Sequence, residues 1–408
     1  MQLGTSLTIV VMGGGAAGIF GAIAAAEAHP HARVIVLEKS RQLLSKVRIS
    51  GGGRCNVTHA CFDPIALSRH YPRGSKALVG PFSRFQPRDT IAWFEARGVR
   101  LKTEGDGRIF PVTDSSETII ECLLSAASKA GVKIWTEVAV QRVEKRDTGF
   151  LLHLRNLEPL FCNRLLLASG SAPAGLDLAA SLGHTLVPPV PSLFTFNIAD
   201  KRLEGLSGVS VDPVHLKLKA CDLSESGPLL ITHWGMSGPA VLKLSAWGAR
   251  TLHSLHYKTE LTVNWLPAFN EDALRSLLLA TKEQRPQKTV AAESCVALPK
   301  SLWKSLVVAA QIAEAQRWSH LSSAQLRSLL DELLRGRYLL DGKSAYKEEF
   351  VTSGGVDLKE VDFKRFESRL CPGLHFAGEV LDIDGVTGGF NFQNAWTGSF
   401  IAAQSMHA

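Results

Sequence analysis

The sequence predicts an α/β chain in two parts: a parallel sheet wound with helices, and a small inserted β domain that carries a helical stretch of its own. Three observations predict it. A strand, glycine turn, helix and second strand follow one another between Leu7 and Glu38. A proline run, Val187-Pro188-Pro189-Val190-Pro191, then separates this region from a set of short strands. The last segment, from Leu374 onward, returns to strand, glycine turn and helix.

Each element has a local reason. Leu7 to Met12 is a short apolar run rich in β-branched residues and bounded by glycine, which reads as a buried parallel strand. From Gly14 to Ala28 the small residues Gly14, Gly18, Ala22 and Ala25 or Ala26 recur at helical spacing, so this helix can lie close to a sheet. Arg33 to Leu37 is a second buried strand, and the βαβ unit it closes is expected to be right-handed. Helical patterns follow around Asp89 to Arg97 and Ser116 to Ala130. Val132 to Val143 and Phe150 to Leu154 alternate as antiparallel strands do, and Arg164 to Ala168 reads as another buried strand. Beyond the proline run, Phe194 to Ile198, Val214 to Leu218 and Leu229 to Thr232 are strand-like. Glu271 to about Leu339 turns helical, and no glycine occurs between Gly248 and Gly336. The expected division is therefore a nucleotide-binding domain at 1–190 and 353–408, a β domain at 191–270 and 337–352, and a helical subdomain at 271–336.

Composition narrows the classes. With 45% apolar and 20% charged residues in 408, the chain is neither disordered nor fibrous. The net charge of +7 reads as a solvated surface with no long basic run, so nucleic acid is disfavoured as a partner. Seven scattered cysteines without a C-x-x-C pair fit reduced thiols in a cytoplasmic protein and offer no metal site. Leu7 to Ala26 is apolar enough to suggest a membrane span, but Gly13-Gly14-Gly15 breaks it after a few β-branched residues, so no membrane association is expected.

Three motifs carry chemistry. Gly13-x-Gly15-x-x-Gly18 opens the first helix, and Glu38 ends the second strand twenty residues later. Gly13 permits the tight turn, Gly15 lets a pyrophosphate reach the helix N-terminus, Gly18 permits close packing, and Glu38 accepts from ribose hydroxyls. Glu38 would repel a 2′-phosphate, which disfavours NADP here and leaves FAD and NAD. The second motif is Ser50-Gly51-Gly52-Gly53-Arg54-Cys55-Asn56, preceded by Lys46, a loop suited to an extended anion. The third is the glycine-marked stretch from Phe376 to Asn391 ahead of a final helix, whose N-terminus suits negative charge on a reduced isoalloxazine.

These motifs, together with Thr232-His233-Trp234-Gly235-Met236-Ser237-Gly238-Pro239, resemble the aminoacetone oxidase-like FAD-binding flavoproteins, bacterial enzymes that also include bile-acid ene-reductases. The resemblance runs from residue 9 to residue 404. It implies a glutathione-reductase-like Rossmann FAD domain with an inserted β-barrel-like domain that carries a helical subdomain. It also implies non-covalent FAD contacts at Gly13, Gly15, Ala16, Ala17, Gly18, Glu38, Lys39, Lys46, Ser50, Gly51, Arg54 and Asn56. Val138 should meet the adenine through its backbone, Ala168, Ser169 and Gly170 form a further turn, and Gly378, Glu379, Gly388, Gly389, Phe390 and Asn391 form the flavin end. Ser171 to Gly175 is shorter than the family's usual loop, so the substrate can differ.

The leading expectation is an FAD-dependent oxidoreductase of a small molecule, reducing an activated C=C or C=O with NADH or NADPH as transient reductant. The alternatives are an amine oxidase of the aminoacetone type releasing peroxide, an RNA-modifying flavoprotein, and a flavin scaffold without its own substrate. The pocket is expected between the domains, bordered by His233, Asn56 and the Asp382 to Thr387 loop, with His233, Asn56 and Asp382 as catalytic candidates. His233 is expected to be buried and hydrogen-bonded. Cys55 lacks a partner at redox spacing.

Overall fold

The computed structural model describes residues 7–343 and 351–407, which fall into two units, 1–190 with 347–408, and 191–346. In the first, seven strands form one sheet in the order Val361–Asp362, Glu367–Ser368, Leu374–Phe376, Arg164–Leu167, Thr8–Met12, Arg33–Leu37 and Lys133–Trp135. The last five are parallel, and their registers align Phe376, Leu167, Met12, Leu37 and Trp135 in one row at their carboxyl ends. This is where an open α/β sheet takes its ligands.

Helix Ala16–Ala28 is buried along most of its length and packs on the C-terminal helix Phe390–Gln404. Its small residues permit this: a Cβ at Gly21 would meet Leu166 at 2.8 Å and Ser399 at 3.0 Å. The C-terminal segment thus completes the N-terminal sheet and its helix layer.

The alternating run from Val132 to Val143 is not one antiparallel strand. Lys133–Trp135 joins the parallel sheet beside Arg33–Leu37, and the chain then breaks at Glu137, whose φ is +61°. Only Val140–Arg146 pairs antiparallel with Gly149–Leu154, which in turn pairs with Leu160–Cys162. A period of two records burial of alternate faces on each strand and is blind to the turn between them.

In the second unit six antiparallel strands run in the order Phe196–Asn197, Gly235–Ser237, Leu223–Thr232, Ser210–Leu218, Lys258–Asn264 and Gly336–Asp341. A bridge between Phe196 and Lys343, with the Asn197 amide donating to Gly342 O at 3.1 Å, brings the first strand back toward the last. The result is a nearly closed barrel, which removes exposed sheet edges. Helices Glu271–Gln284, Lys300–Ala309 and Ser323–Arg335 form the helical part around buried Trp265, Trp303 and Trp318. Arg202 ties it to the barrel, pairing with Asp200 at 2.7 Å and Glu332 at 2.6 Å and stacking 3.8 Å over Tyr338.

The first boundary falls after Val190, inside the proline run. The expected 337–352 segment divides differently: Gly336–Asp341 closes the barrel, residues 344–350 lie outside the described set, and strand Val351–Val356 starts in the first unit. Among the described residues no helix is long and apolar enough to cross a membrane, and no cluster of His, Cys, Asp and Glu could hold a metal.

Candidate functional site

Five of the segments singled out for nucleotide binding leave the row of aligned strand ends. Gly13 follows Met12, Glu38 follows Leu37, Val138 lies three residues past Trp135, Ala168 follows Leu167, and Gly378 lies two past Phe376. Backbone bonds lock these exits side by side: Gly13 N donates to Leu37 O (2.9 Å), Ala168 N to Met12 O (2.9 Å) and Ala377 N to Leu167 O (3.1 Å). The turn is tight enough to require glycine. Gly13 has φ +114°, and a Cβ there would sit 2.4 Å from Ala168 O. One at Gly18 would sit 1.8 Å from Gly13 O.

The resulting cradle fits a dinucleotide. No side chain caps the N-terminus of helix Ala16–Ala28, so its first amides, including those of Ala16, Ala17 and Gly18, face an anion's natural site. Nothing lies within 4 Å of a Cβ built on Gly15. The buried Ser169 Oγ is packed against Gly175, where a Cβ would meet it at 1.8 Å, so Ser169 offers the cradle its backbone and not its hydroxyl. Glu38 is aimed by its own fold: one carboxylate oxygen accepts from Gly14 N at 2.7 Å, and the other from Ser40 N at 2.8 Å and Ser40 Oγ at 2.9 Å. The Val138 amide donates to Glu38 O at 2.9 Å, so the carbonyl is the backbone group left for an adenine. Lys39 is exposed beside it.

The second and third motifs meet. Lys46 pairs with Glu379 at 2.6 Å across 333 residues of sequence, and a Cβ on Gly378 would lie 3.2 Å from Ala17. Asn56, buried, donates its amide to Thr58 O (2.9 Å) and Ile109 O (3.2 Å) and accepts from Gly389 N (3.0 Å). Asn56 is thus a clamp between the glycine loop and the last helix.

Several expected roles change. Arg54, expected to supply charge to an anion, is already spent on Glu104 at 2.7 Å and Asp114 at 3.5 Å, with its guanidinium 4.0 Å over Phe110. These carboxylates hold its pKa above the ordinary value. The Ser50 hydroxyl donates to Val47 O at 2.9 Å, and Gly51 adopts φ +58° as the loop begins. Asn391, expected at the flavin end, uses its side chain to grip Gly385, accepting from its N at 2.8 Å and donating to its O at 2.9 Å. Cys55 is fully buried, and burial pushes its thiol up to about 12, so it stays protonated. His233 is not buried: it lies exposed with Trp234 in the two-residue turn between strands Leu223–Thr232 and Gly235–Ser237 of the second unit. Asp382 is half-buried, its amide donating to Val356 O at 3.2 Å.

Other groups at this end were not legible. Phe390 packs against both His70 (4.2 Å between centroids, planes 12° apart) and His59 (4.7 Å, 22°), whose own centroids lie 6.0 Å apart, and its carbonyl accepts from Tyr71 at 2.6 Å. Arg73 forms a two-pronged ion pair with the wholly buried Asp384. Gln393 Oε1 accepts from Thr58 at 2.6 Å and Thr90 at 2.9 Å inside the core. The signal available for these was thin: His59 follows the glycine motif by a few residues, but nothing in the spacing pairs position 73 with 384.

The arrangement predicts a yellow protein whose FAD is held without a covalent bond and released by acid, because separate glycine-rich segments converge on one dinucleotide site. Glu38→Ala should weaken FAD binding by about 1.5–3 kcal/mol through loss of charged hydrogen bonds, read by titrating the apoprotein with FAD. An unchanged affinity removes Glu38 from the site.

A model of the HI0933-like protein Rossmann domain matches residues 7–405. The chain is 30% identical over 411 aligned residues to the ribosomal RNA dihydrouridine synthase of Escherichia coli, covering 98% of each. It is 28% identical to the 3-dehydro-bile acid delta(4,6)-reductase of Clostridium scindens, covering 97% of this chain and 98% of the relative. The 3-ketosteroid delta1-dehydrogenase of Sterolibacterium denitrificans, solved with 1,4-androstadiene-3,17-dione, superposes with a TM-score of 0.51 at 12% identity, over 97% of this chain and 98% of that one, a likeness of fold.

Proposed function

The chain belongs to the family of HI0933-like Rossmann proteins and is an FAD-dependent oxidoreductase, and we propose that it reduces a C=C bond conjugated to a carbonyl. One observation carries this reading. The two end-to-end relatives are named for different substrates yet for one bond change: a dihydrouridine synthase saturates the uracil C5=C6 bond beside a carbonyl, and a delta(4,6)-reductase removes C=C bonds conjugated to a 3-oxo group. Bound FAD supplies the two-electron transfer, with NADH or NADPH as the proposed donor. In balance, a hydride reaches the β carbon, a proton the α carbon, and NAD(P)H becomes NAD(P)⁺.

The residues that hold such a site are those described above. The helix amides beyond Gly15 and the Glu38 carboxylate position the nucleotide half. Asn56, Asn391 and the Arg73–Asp384 pair fix the loop ahead of the last helix, where a substrate ring has to be oriented and shielded from water.

Anaerobic stopped-flow mixing of the holoprotein with NADH, NADPH and a panel of primary amines tests the reading. The expected result is bleaching of the flavin by a nicotinamide and recovery on adding a conjugated ketone, with none on adding its saturated analogue. Bleaching by an amine alone, with air restoring the colour and releasing peroxide, would replace it by the oxidase reading. For the acceptor, a pyrimidine carried in RNA stands as a second reading beside a free conjugated ketone, supported by the name of the E. coli relative, 30% identical along the whole chain, where the bile-acid reductase at 28% supports the small molecule.

A further inference from the structure

The net charge of +7 conceals a strong asymmetry. Residues 39–88 contain ten lysines and arginines and a single carboxylate, Asp63, whereas the rest of the chain has 35 cations against 37 carboxylates. The whole positive excess therefore sits in one segment of the first unit. Four of its cations are spent internally: Lys46 on Glu379, Arg48 on Glu117, Arg54 on Glu104 and Asp114, and Arg73 on Asp384. The other six, Lys39, Arg41, Arg69, Lys76, Arg84 and Arg88, are exposed and form no ion pair among the described residues.

Four of these six lie on or beside three successive helices within twenty residues of sequence. Arg69 ends helix Pro64–Ser68, Lys76 sits in helix Ser75–Phe82, Arg84 directly follows it, and Arg88 enters helix Pro87–Glu95 over the Phe62 ring at 4.9 Å. Lys76, Gly80 and Ser83 share the exposed face of helical spacing, and Arg84 adjoins it, about 12 Å from Lys76 along the axis. The stretch is fastened to the loop ahead of the last helix by Val386 N donating to His70 O at 2.9 Å, by the Arg73–Asp384 pair and by the His70–Phe390 stack. We propose that Arg69, Lys76, Arg84 and Arg88 form a docking face for the phosphate backbone of an RNA substrate, beside the loop that orients the reacting base. This rests on the RNA-borne acceptor reading above and adds where that RNA is held.

Charge complementarity selects the occupant. Phosphates recruit cations without a carboxylate partner, and exposed arginines suit them geometrically, Arg84 here donating only to the backbone carbonyl of Lys364. An anionic membrane would call for an apolar helix face beside the cations, and this stretch exposes only Ile65 among its large apolar residues. The second unit supplies the contrast: a cavity of about 300 Å³ there is also lined by Lys217, Lys219, Arg335 and Arg337, but with Glu260 among them. Carboxylates pair with three of these cations, Asp222 with Lys217, Glu260 with Lys219, and Asp331 and Glu271 with Arg335.

The test measures binding of a uridine-containing RNA hairpin to the FAD-loaded protein across a salt series. For four phosphate contacts, log K against log salt should have a slope of about −3. Arg69→Glu with Lys76→Glu, and separately Arg84→Glu with Arg88→Glu, should each weaken binding at least tenfold and flatten the slope by about half, leaving the flavin spectrum and its reduction by NAD(P)H unchanged. Lys217→Glu with Arg337→Glu should leave binding as in the wild type. Wild-type binding that neither double reversal weakens overturns the docking face while the RNA reading stands. A wild type that ignores RNA, but binds phosphatidylglycerol vesicles through these four residues, overturns both and leaves C=C reduction to be judged by the flavin experiment.

Discussion

Gly15→Ala is expected to strip the protein of FAD without unfolding it. Gly15 has φ −84° and ψ −170°, extended backbone that alanine adopts freely, and a Cβ there meets no atom of the chain within 4 Å. The chain itself has no reason for glycine at this position. The reason is what approaches from outside: a pyrophosphate seated on the amides of Ala16 to Gly18 occupies the space a methyl would take. Overpacking a close contact costs about 1–3 kcal/mol, so FAD affinity should fall some ten- to hundredfold, read as a lower ratio of flavin to protein absorbance after purification. The thermal midpoint of the apoprotein should stay near that of the wild-type apoprotein. Gly18→Ala is the opposite case, because its Cβ would lie 1.8 Å from Gly13 O and force the helix off the sheet, so loss of soluble protein is expected. Full FAD retention by Gly15→Ala would falsify an anion at this helix N-terminus.

The contrast between these two glycines shows what kind of information the sequence carried. Gly13, Gly15, Gly18 and Glu38 are legible because their roles depend on spacing within one βαβ unit, and spacing is what a sequence records. The barrel insertion was legible from the proline run and the change from short strands to a glycine-free helical stretch. The ion pairs of Arg54 were not legible because its partners, Glu104 and Asp114, lie fifty and sixty residues on. The grip of Asn391 on Gly385 was hidden for a related reason: its partners are backbone groups of a turn six residues earlier, which no spacing marks. His233 lies exposed against expectation because, although Ile231 and Met236 beside it are buried, a two-residue hairpin turn puts its tip in solvent whatever the strands bury. The concentration of charge in residues 39–88 was present in the sequence all along, and it was hidden by summing over the whole chain.

Arg73→Ala is expected to have the largest effect on stability of any single change near the loop. Asp384 is wholly buried and Arg73 nearly so, with side-chain exposures of 0% and 14%. Removing the guanidinium takes away the two-pronged partner of this buried carboxylate, and breaking one side of a buried pair costs about 3–5 kcal/mol. The two residues lie 311 positions apart and also form a backbone bridge, so the loss acts where the segment after the glycine motif meets the loop ahead of the last helix. Thermal or denaturant unfolding of the holoprotein should show the full cost for Arg73→Ala. A smaller cost is expected for Arg73→Ala combined with Asp384→Ala, because the buried charge is then gone with its partner. The functional consequence separates this pair from a purely structural one. If it holds the loop for substrate, the double variant should keep its FAD and its reduction by NAD(P)H, since the cradle at Gly13 to Gly18 and Glu38 is untouched, while transfer to the conjugated acceptor slows. Equal rates of acceptor reduction in the double variant and the wild type would confine Arg73 and Asp384 to stability alone.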